Sequence, residues 1–348
     1  MKTFYHPIQK THDPKHFLSS GALQPNPEQP GRVDMLLDAV NALGLAVEEP
    51  ADRGLAPMAA IHTSEYIRFL QTIYARWQHI PGASAEVIPN IHPNRNAASY
   101  PKSAVGHAGY HQADTACPIS AETWDAAYWS AQSALGAADH VLGGVLSGAG
   151  AAYALARPPG HHAYADMAGG FCFLNNSAIA AERALAAGRR PAILDVDVHH
   201  GNGTQGIFYA RGDVLTVSLH AHPERFYPFF WGYEQERGEG PGEGANLNLP
   251  LARGTGDDGF LEALDAAKAR IGAFAADILV VALGLDAFEG DPFQGLAVTT
   301  PGFGRIAASI AELGLPTILV QEGGYLCPEL GDNLRSFLSG FGEAHRAR

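Results

Sequence analysis

The feature that most constrains the fold is a repeated alternation between short apolar runs and longer Ala-rich stretches with helical periodicity. We predict the apolar runs to be strands, at residues 2–5, 151–156, 192–196, 214–219, 278–283 and 317–321. We predict the longer stretches to be helices, at residues 124–146, 177–187, 260–274 and 301–312. Strands joined by crossover helices form parallel sheets. Because the strands are apolar throughout rather than at alternate residues, both sheet faces must be covered, which indicates a doubly wound α/β fold.

All 348 residues are predicted to form one α/β domain, because folds of this kind often exceed the usual domain size. One segment, residues 81–118, is rich in Pro, Asn and His and has no clear periodicity. An irregular stretch of this length inside a compact domain is more often functional than passive. We therefore predict a functional insert at about 81–118.

The charge balance bears on possible partners. Lys and Arg number 23 and Asp and Glu number 36, which gives a formal net charge of −13. This charge argues against nucleic acid or an anionic membrane as a partner and suits a cationic or neutral substrate. The plainer explanation, an acidic surface that only keeps the protein in solution, stays open.

Cysteine usage and the length of the apolar runs bear on the compartment. Cys117, Cys172 and Cys327 are too few and too scattered for a disulfide framework or a Cys-based zinc ribbon. Residues 1–17 lack the long apolar core of a signal peptide. No run approaches the roughly 18 apolar residues of a membrane span. We therefore expect a reduced, cytoplasmic protein that has no membrane partner.

Polar clusters follow five of the predicted strands. In open α/β sheets, ligands bind beyond the carboxyl ends of the strands. A lone histidine at such a position is usually structural, but five clusters at one sheet edge are typical of a site of chemistry. The clusters are RPPGHH at 157–162, DVDVHHGN at 195–202, SLH at 218–220, GLD at 284–286 and EGGY at 322–325.

Three residues of these clusters suit one metal ion. Asp195, Asp197 and His199 alternate with a period of two, so a strand end would point them to the same side. Asp286 follows an apolar run, and a buried carboxylate is costly unless it is paired or binds a cation. Asp197, His199 and Asp286 would give three ligands and one position open to water, as in catalytic zinc sites. Because carboxylates are harder ligands than imidazoles, Fe(II) stays an alternative to zinc.

Taken together, the motifs resemble those of the histone deacetylase superfamily and, within it, of the bacterial acetylpolyamine amidohydrolases. Besides the clusters given above, the resemblance rests on GFCFLNN at 170–176 and LGLDAF at 283–288, and it extends over nearly the whole chain. It implies the arginase-deacetylase fold, an open, eight-stranded, mostly parallel sheet flanked by helices. It also implies that Asp197, His199 and Asp286 hold zinc.

The resemblance further implies a role for each polar residue around the metal. His161 and His162 would flank the attacking water, with His162 as the general base and acid. His161, with Asp195 behind it, would stabilise the developing charge. Tyr325 would donate its hydroxyl to the oxyanion. Asn202, where many deacetylases carry a carboxylate, would orient His162.

A structural potassium site is implied by the same resemblance. Its ligands would be the Asp195 carboxylate, the Ser218 hydroxyl and the backbone carbonyls of Asp197, His199 and Leu219. Without the resemblance, Ser218 is equally well explained as a core hydroxyl whose hydrogen bonds are satisfied.

An apolar channel is needed for a methylene chain, although any single aromatic residue is more often part of the core. The residues expected to line the channel are Gly170, Phe171, Phe226 and Tyr227. The acetylpolyamine branch is expected to carry an acid in its N-terminal loop, but the matching window, residues 15–19, has none. Asp114 is a candidate for recognition of the amine in its place, with a surface aspartate as the plainer explanation.

The insert at 81–118 matches a segment that, in the acetylpolyamine branch, helps to form a dimer and narrows the entrance to the site. We therefore expect a homodimer that admits slender acylated amines more readily than folded histone tails. The predicted reaction is zinc-dependent hydrolysis of an acetylpolyamine or a similar small N-acetyl amine or amide.

Three other functions are weighed against this reaction. A protein acetyl-lysine deacetylase is the main alternative. A metal-bound sensor without turnover is weaker, because no catalytic position of the motifs is replaced. An arginase-like enzyme needs two manganese ions, and GLDAF at 284–288 lacks the paired carboxylates for a second metal.

Overall fold

The computed structural model describes residues 1–94, 99–144 and 150–346. Its strands are β1 (Lys2–Phe4), β2 (His16–Ser19), β3 (Ala22–Pro25), β4 (Val47–Glu48), β5 (Ala151–Ala154), β6 (Pro191–Asp195), β7 (Leu215–Ala221), β8 (Asn246–Leu251), β9 (Ile278–Leu283) and β10 (Thr317–Gln321). Its α-helices are α1 (Gly31–Ala42), α2 (Ala56–Ala59), α3 (Ser64–Trp77), α4 (Ala104–His111), α5 (Thr123–Gly144), α6 (Asn176–Ala186), α7 (Asn202–Phe208), α8 (Asp257–Phe274), α9 (Thr300–Ala311) and α10 (Leu330–Arg346).

Eight of these strands form one sheet in the order β4-β1-β5-β10-β9-β6-β7-β8. Every neighbouring pair in this sheet is parallel, so the predicted α/β fold is confirmed and the sheet is wholly rather than mostly parallel. The two remaining strands, β2 and β3, form a separate antiparallel hairpin.

Both faces of the sheet are buried, as the continuous apolar strands predicted. Val281 of β9 and Leu319 of β10 pack into one hydrophobic cluster, and Val280 and Ile318 pack into the other. Alternate residues of a strand point to opposite faces, so each strand contributes to both clusters. Helices α1, α8, α9 and α10 cover the first face, and helices α3, α5 and α6 cover the second.

All six predicted strands are present, within two residues of the predicted ends. The four predicted helices are also present, although residues 145–146 of the stretch 124–146 lie outside the described part of the chain. The edge strands β4 and β8 and the hairpin were missed. Strand β4 has only two residues, both exposed, and β8 is only partly buried, so neither carries a continuous apolar run.

The insert predicted at 81–118 is less irregular than its composition indicates. Its described residues, 81–94 and 99–118, include helix α4. The Ser103 hydroxyl caps this helix by accepting a hydrogen bond from the Gly106 amide at 3.0 Å. No helix in the described ranges is long and apolar enough to cross a membrane.

Candidate active site

Four adjacent strands at the centre of the sheet, β5, β10, β9 and β6, carry polar clusters at their carboxyl ends. These clusters are the predicted ones at 157–162, 322–325, 284–286 and 195–202. The fifth cluster differs, because Ser218 and His220 lie inside β7, which extends two residues further than predicted, to Ala221. The sheet therefore brings residues that are far apart in sequence to one edge.

Asp197, His199 and Asp286 converge, as predicted. His199 Nδ1 lies 3.2 Å from Asp197 Oδ1 and 3.2 Å from Asp286 Oδ2. All three side chains are buried, and one ligand atom from each lies within 4.8 Å of the others. Ligand atoms of a tetrahedral site with bonds near 2.0 Å are about 3.3 Å apart, so this spacing fits a single zinc-sized ion.

The charges of this cluster also fit a cation. One imidazole nitrogen can offer at most one proton, and it faces a carboxylate oxygen from each of Asp197 and Asp286. Two buried carboxylates in this arrangement are strongly unfavourable without a positive charge between them. A divalent ion would neutralise both.

The local geometry of the first two ligands corrects one prediction. Strand β6 ends at Asp195, so Asp197 and His199 lie on the following loop and not on a strand end. Side-chain hydrogen bonds hold this loop. The Asp197 amide donates to Asp195 Oδ1 at 3.1 Å, and the His199 amide donates to Asp197 Oδ1 at 2.9 Å. Such Asx turns allow aspartates to shape the backbone that presents them.

The tandem histidines lie beside this cluster, and each is oriented by a different partner. His161 Nδ1 lies 2.9 Å from Asp195 Oδ2, and His162 Nδ1 lies 2.6 Å from Asn202 Oδ1. The Asn202 amide group in turn donates to the Tyr164 hydroxyl at 3.1 Å. Because Asn202 Oδ1 can only accept, the proton on the His162 ring is at Nδ1 and Nε2 is the free base.

The two histidines also differ in proton affinity. Burial lowers the pKa of His162 well below its usual range, and the neighbouring His161 and His199 lower it further. Burial opposes the charged form of His161 too, but the carboxylates of Asp195 and Asp197 outweigh it and raise the pKa of His161 well above its usual range. The pKa values of the two rings are therefore shifted in opposite directions.

Tyr325 reaches the cavity from a tight turn after β10. Gly324 in this turn has φ = 109°, a conformation that side-chain-bearing residues rarely adopt. The buried guanidinium of Arg32 holds the turn by donating to the carbonyls of Gly324 and Glu322, at 2.5 and 2.7 Å. The Tyr325 amide donates to Asp291 Oδ2 at 2.9 Å.

Asp291 links this turn to the wall of the cavity. Its other oxygen, Oδ1, accepts from the Phe293 amide at 2.9 Å, and the Phe293 ring packs edge-on against Tyr325 with centroids 4.7 Å apart. Burial and the nearby Asp286 carboxylate raise the pKa of Asp291 to about 7. One buried side chain thus fixes both Phe293 and Tyr325.

A buried ion cluster joins the N-terminal region to the loops of the site. Glu28 Oε1 accepts from Arg32 Nη1 at 2.6 Å and from Arg157 Nε at 2.8 Å. Burial would raise the pKa of Glu28, but the two guanidinium groups outweigh burial and lower it to about 2. Since Arg157 begins the loop with the histidines and Arg32 holds the Tyr325 turn, Glu28 connects the two.

A second group of possible metal ligands, His161, Cys172 and Glu322, lies behind the histidines. Glu322 Oε2 already accepts from the amides of Gly160 and His161, at 2.6 and 3.0 Å. Burial raises the pKa of the Cys172 thiol well above its usual range, which disfavours the thiolate that metals need. These contacts support the histidine loop rather than a second ion.

Of the five residues named for potassium, Asp195 and Ser218 line a small cavity of about 10 Å³, whereas Asp197, His199 and Leu219 are not among its lining residues. Ser218 Oγ lies 2.8 Å from His220 Nδ1, and the Nδ1 atom of His200, another lining residue, has no hydrogen-bond partner among the described residues. Buried polar atoms usually have partners, so the cavity is suited to a small polar occupant.

A cavity of about 760 Å³ leads from the surface to His162, His199 and Tyr325. All four residues predicted for the channel line it, namely Gly170, Phe171, Phe226 and Tyr227. Gly170 and Phe171 have φ values of 48° and 67°, and a Cβ atom on Gly170 would lie 2.4 Å from the His162 ring. The channel wall therefore approaches the histidines as closely as a backbone can.

Asp114 also lines this cavity, so it is not the surface aspartate of the plainer explanation. Its Oδ2 accepts from the Tyr227 hydroxyl at 2.6 Å and from the Gly170 amide at 3.2 Å. Its Oδ1 accepts from the Ala116 amide at 2.8 Å. Asp114 thereby fixes two residues of the channel wall.

Several residues of the site could not be found in the sequence. Phe293 and Asp291 follow GLDAF after a short irregular segment, and DPF at 291–293 gives no chemical signal by itself. Glu28 and Arg32 are spaced as an exposed helical ion pair would be, and only the fold buries them. The signal that could have found Glu28 and Arg32 was their opposite charge in a segment with few other helix-like features.

Comparisons with known proteins identify the family of this chain. The model of the histone deacetylase domain matches residues 26–341. The chain belongs to the histone deacetylase family. Within this family it is 48% identical to an acetylpolyamine amidohydrolase of Burkholderia pseudomallei, over 98% of this chain and 99% of that protein. It is 45% identical to acetylpolyamine amidohydrolase 1 of Pseudomonas aeruginosa, over 99% of this chain and 100% of the relative.

A solved structure of this deacetylase family gives the same fold. The crystal structure of acetylpolyamine aminohydrolase from Burkholderia pseudomallei superposes with a TM-score of 0.94 and 47% identity, and the match covers 99% of each chain. Membership of the histone deacetylase family makes the chain an enzyme of the deacetylase and amidohydrolase class. Both the recognised family and the predicted class of enzyme are therefore confirmed.

Proposed function

We propose that this chain is a zinc-dependent amidohydrolase that hydrolyses an acetylpolyamine or a similar small N-acetyl amine or amide to the free amine and a carboxylate. The observation that carries the proposal is the convergence of Asp197, His199 and Asp286 beside the tandem histidines at the end of a deep cavity. Relatives with 48% and 45% identity are named acetylpolyamine amidohydrolases, which supports this class of substrate.

The proposed ion is zinc, held by Asp197, His199 and Asp286, and Fe(II) stays an alternative for this hard ligand set. When bound, zinc would supply Lewis acidity that polarises the acyl carbonyl and lowers the pKa of a water molecule. The spacing and buried charge of the three side chains support a single ion.

We assign the proton transfers to His162. Its low pKa leaves the ring neutral near pH 7, with Nε2 as a free base and Nδ1 bonded to Asn202. Nε2 takes a proton from the attacking water as the C–O bond forms. The same proton passes to the amine nitrogen as the C–N bond breaks, so the ring ends neutral.

The negative charge that develops on the acyl oxygen needs donors. His161, kept charged by Asp195, would stabilise charge near the attacking water. Burial raises the pKa of Tyr325 well above its usual range, so its hydroxyl keeps its proton and would donate to the oxyanion.

Four further features complete the proposal. A structural potassium ion, bound at Asp195, Ser218 and the backbone carbonyls of Asp197, His199 and Leu219, is supported by the small polar cavity at Asp195 and Ser218. We propose that residues 1–348 form one catalytic domain with an insert at about 81–118, and that this insert supports a homodimer. We propose a cytoplasmic location, which the three cysteines without disulfides support.

The test combines metal content with a panel of substrates. We expect one zinc per chain by elemental analysis and hydrolysis of acetylated polyamines by the zinc form. Tyr325→Phe should keep the zinc and lower kcat about 100- to 1000-fold, because one oxyanion donor is lost. Two manganese ions per chain, or turnover of acetyl-lysine peptides with none of acetylated polyamines, would contradict the proposal.

A further inference from the structure

The mouth of the cavity carries an unusual number of exposed aromatic side chains. Phe229, Phe230 and Trp231, which we name the aromatic rim, are 48%, 79% and 47% exposed and line the same cavity as Tyr325 and Phe171. Those two deeper residues are only 4% and 6% exposed. Aromatic residues thus line the cavity from its buried end to its mouth. Contiguous exposed apolar patches of this kind usually mark binding sites.

Hydrogen bonds hold the backbone of the aromatic rim. Phe229 has φ = 61°, which is costly for a residue with a side chain. Its carbonyl accepts from the Tyr233 hydroxyl at 2.8 Å, and the Phe230 amide donates to the Pro228 carbonyl at 2.7 Å. Gly232, which follows the aromatic rim, donates its amide hydrogen to Glu236 Oε2 at 2.8 Å. These hydrogen bonds hold the backbone that carries the aromatic rim.

Few carboxylates are available at the mouth of the cavity to bind a cationic group. Among the described residues that line the cavity, Asp114 is the one carboxylate, and both of its oxygens accept from protein donors. Strand β2, which covers the window expected to carry an acid, contributes Phe17, Leu18 and Ser19 to the lining. Asp114 is therefore engaged by the protein, and the remainder of the mouth offers aromatic rings to a cationic substrate group.

We propose that the aromatic rim binds the distal ammonium group of the acylated amine through cation–π contacts with Phe230 and Trp231, an inference that rests on the proposed function. The faces of aromatic rings carry partial negative charge and attract ammonium groups, indole most strongly. The formal net charge of −13 favours the approach of cations over a longer range. The methylene chain between the amide and the ammonium group would then pass the aromatic residues Phe171 and Phe226.

Arg225 also lines the cavity, and its positive charge would favour a different substrate. A guanidinium at the mouth repels an ammonium group and would attract a carboxylate. If Arg225 governed selection, the substrate would be an acylated amino acid rather than an acylated polyamine. The two cases predict opposite orders of reactivity.

The first experiment uses the natural zinc-loaded chain and three substrates of equal length. They are a mono-N-acetylated diamine, the N-acetyl alkylamine that ends in a methyl group, and the N-acetyl amino acid that ends in a carboxylate. We expect kcat/KM to fall in the order ammonium, methyl, carboxylate. The carboxylate substrate reacting fastest, or the ammonium and methyl substrates reacting equally, would overturn the inference.

A second pair of substrates distinguishes recognition by aromatic ring faces from recognition by hydrogen bonds to a carboxylate. A terminal trimethylammonium group cannot donate a hydrogen bond to a carboxylate but still attracts aromatic faces, and a terminal tert-butyl group has the same shape without charge. Cation–π recognition predicts a lower KM for the trimethylammonium substrate. A KM equal to that of the tert-butyl substrate would contradict it.

Variants then show which residues cause the preference for the ammonium substrate. Phe230→Leu and Trp231→Leu keep an apolar side chain but remove the ring face. Each should lower the ratio of kcat/KM for the ammonium and methyl substrates about two- to fivefold. Arg225→Gln, in the same loop, should move this ratio in the opposite direction. An Asp114→Asn variant that abolishes the preference, while both Leu variants retain it, would transfer recognition to the carboxylate.

Failure of the inference is distinguishable from failure of the proposed function. If the zinc-loaded chain hydrolyses none of the five substrates, the proposed function itself is wrong. If it hydrolyses the methyl and tert-butyl substrates as efficiently as the cationic ones, the amide hydrolysis stands and only the role of the aromatic rim is lost.

Discussion

Asn202 Oδ1 accepts a hydrogen bond from His162 Nδ1 but carries no charge, so it orients the ring without favouring the imidazolium. This choice of an amide matters because burial already lowers the pKa of His162 well below its usual range. A neutral base remains available to lower pH than it would beside a carboxylate. The residue therefore bears directly on the pH range of the reaction.

We predict that Asn202→Asp raises the pKa of His162, because a carboxylate stabilises the charged ring. Since the neutral ring is the base, the acid limb of the kcat/KM profile should move to higher pH, by about one pH unit or more. Asn41→Asp adds the same charge at an exposed position of α1 and should leave the profile unchanged. Limbs that coincide in both variants and the natural chain would exclude this role for Asn202.

Asp291→Asn tests the carboxylate that accepts from the amides of Tyr325 and Phe293. An amide side chain has only one acceptor atom, so one of these two backbone donors would lose its partner. We expect kcat to fall about 10- to 100-fold while KM changes little, because small displacements of reacting groups are costly. Asp258→Asn, at an exposed ion pair, is the control. Equal changes in kcat and KM would indicate a general structural role instead.

At the scale of elements, the buried Glu28 cluster fastens the Tyr325 turn and the histidine loop to the segment before α1. We predict that Glu28→Gln lowers the free energy of unfolding by about 3 to 5 kcal/mol, because two buried guanidinium groups lose their counter-charge. Asp34→Asn, which removes the exposed ion pair with Lys10, should cost less than about 1 kcal/mol. Denaturant unfolding at neutral pH compares the two variants.

The effect of Glu28→Gln on the free energy of unfolding should depend on pH. The pKa of Glu28 is lowered from 4.5 to about 2, so its contribution to stability is complete above pH 4.5 and is lost as the pH falls towards 2. The difference in unfolding free energy between the natural chain and Glu28→Gln should therefore shrink over this interval. A difference that stays constant would show that the charge of Glu28 is not its cause.

Strands with a continuous apolar run could be predicted from the sequence, and the strands that were missed have none. Strands β6, β9 and β10 are buried along their whole length, so their composition identifies them. The exposed hairpin of β2 and β3 has no such composition. Side chains at strand ends were predicted to converge because parallel strands share one edge. Contacts such as Asp291 with Tyr325 depend on how loops fold, which no local pattern records.

For the whole molecule, the insert at 81–118 and the cavity lead to a prediction about the oligomeric state and the size of the substrate. We expect a dimer by light scattering and a strong preference for small acetylated amines over intact acetylated proteins, because the reacting groups lie at the end of a deep cavity. Both quantities are measured on the same zinc-loaded preparation. A monomer that deacetylates a folded protein as fast as a small amine would contradict both parts.

The chemical groups and the substrate-contacting walls come from different parts of the fold. The proposed metal ligands, the histidines and Tyr325 follow the four central strands, whereas Phe17, Asp114 and the aromatic rim lie on segments outside them. Substitutions in β2 and in the aromatic rim should therefore leave the groups that cleave the bond in place. A library confined to residues 17–20 and 229–231 should yield enzymes with new substrate ranges and unchanged metal content, and natural relatives can diverge by the same route.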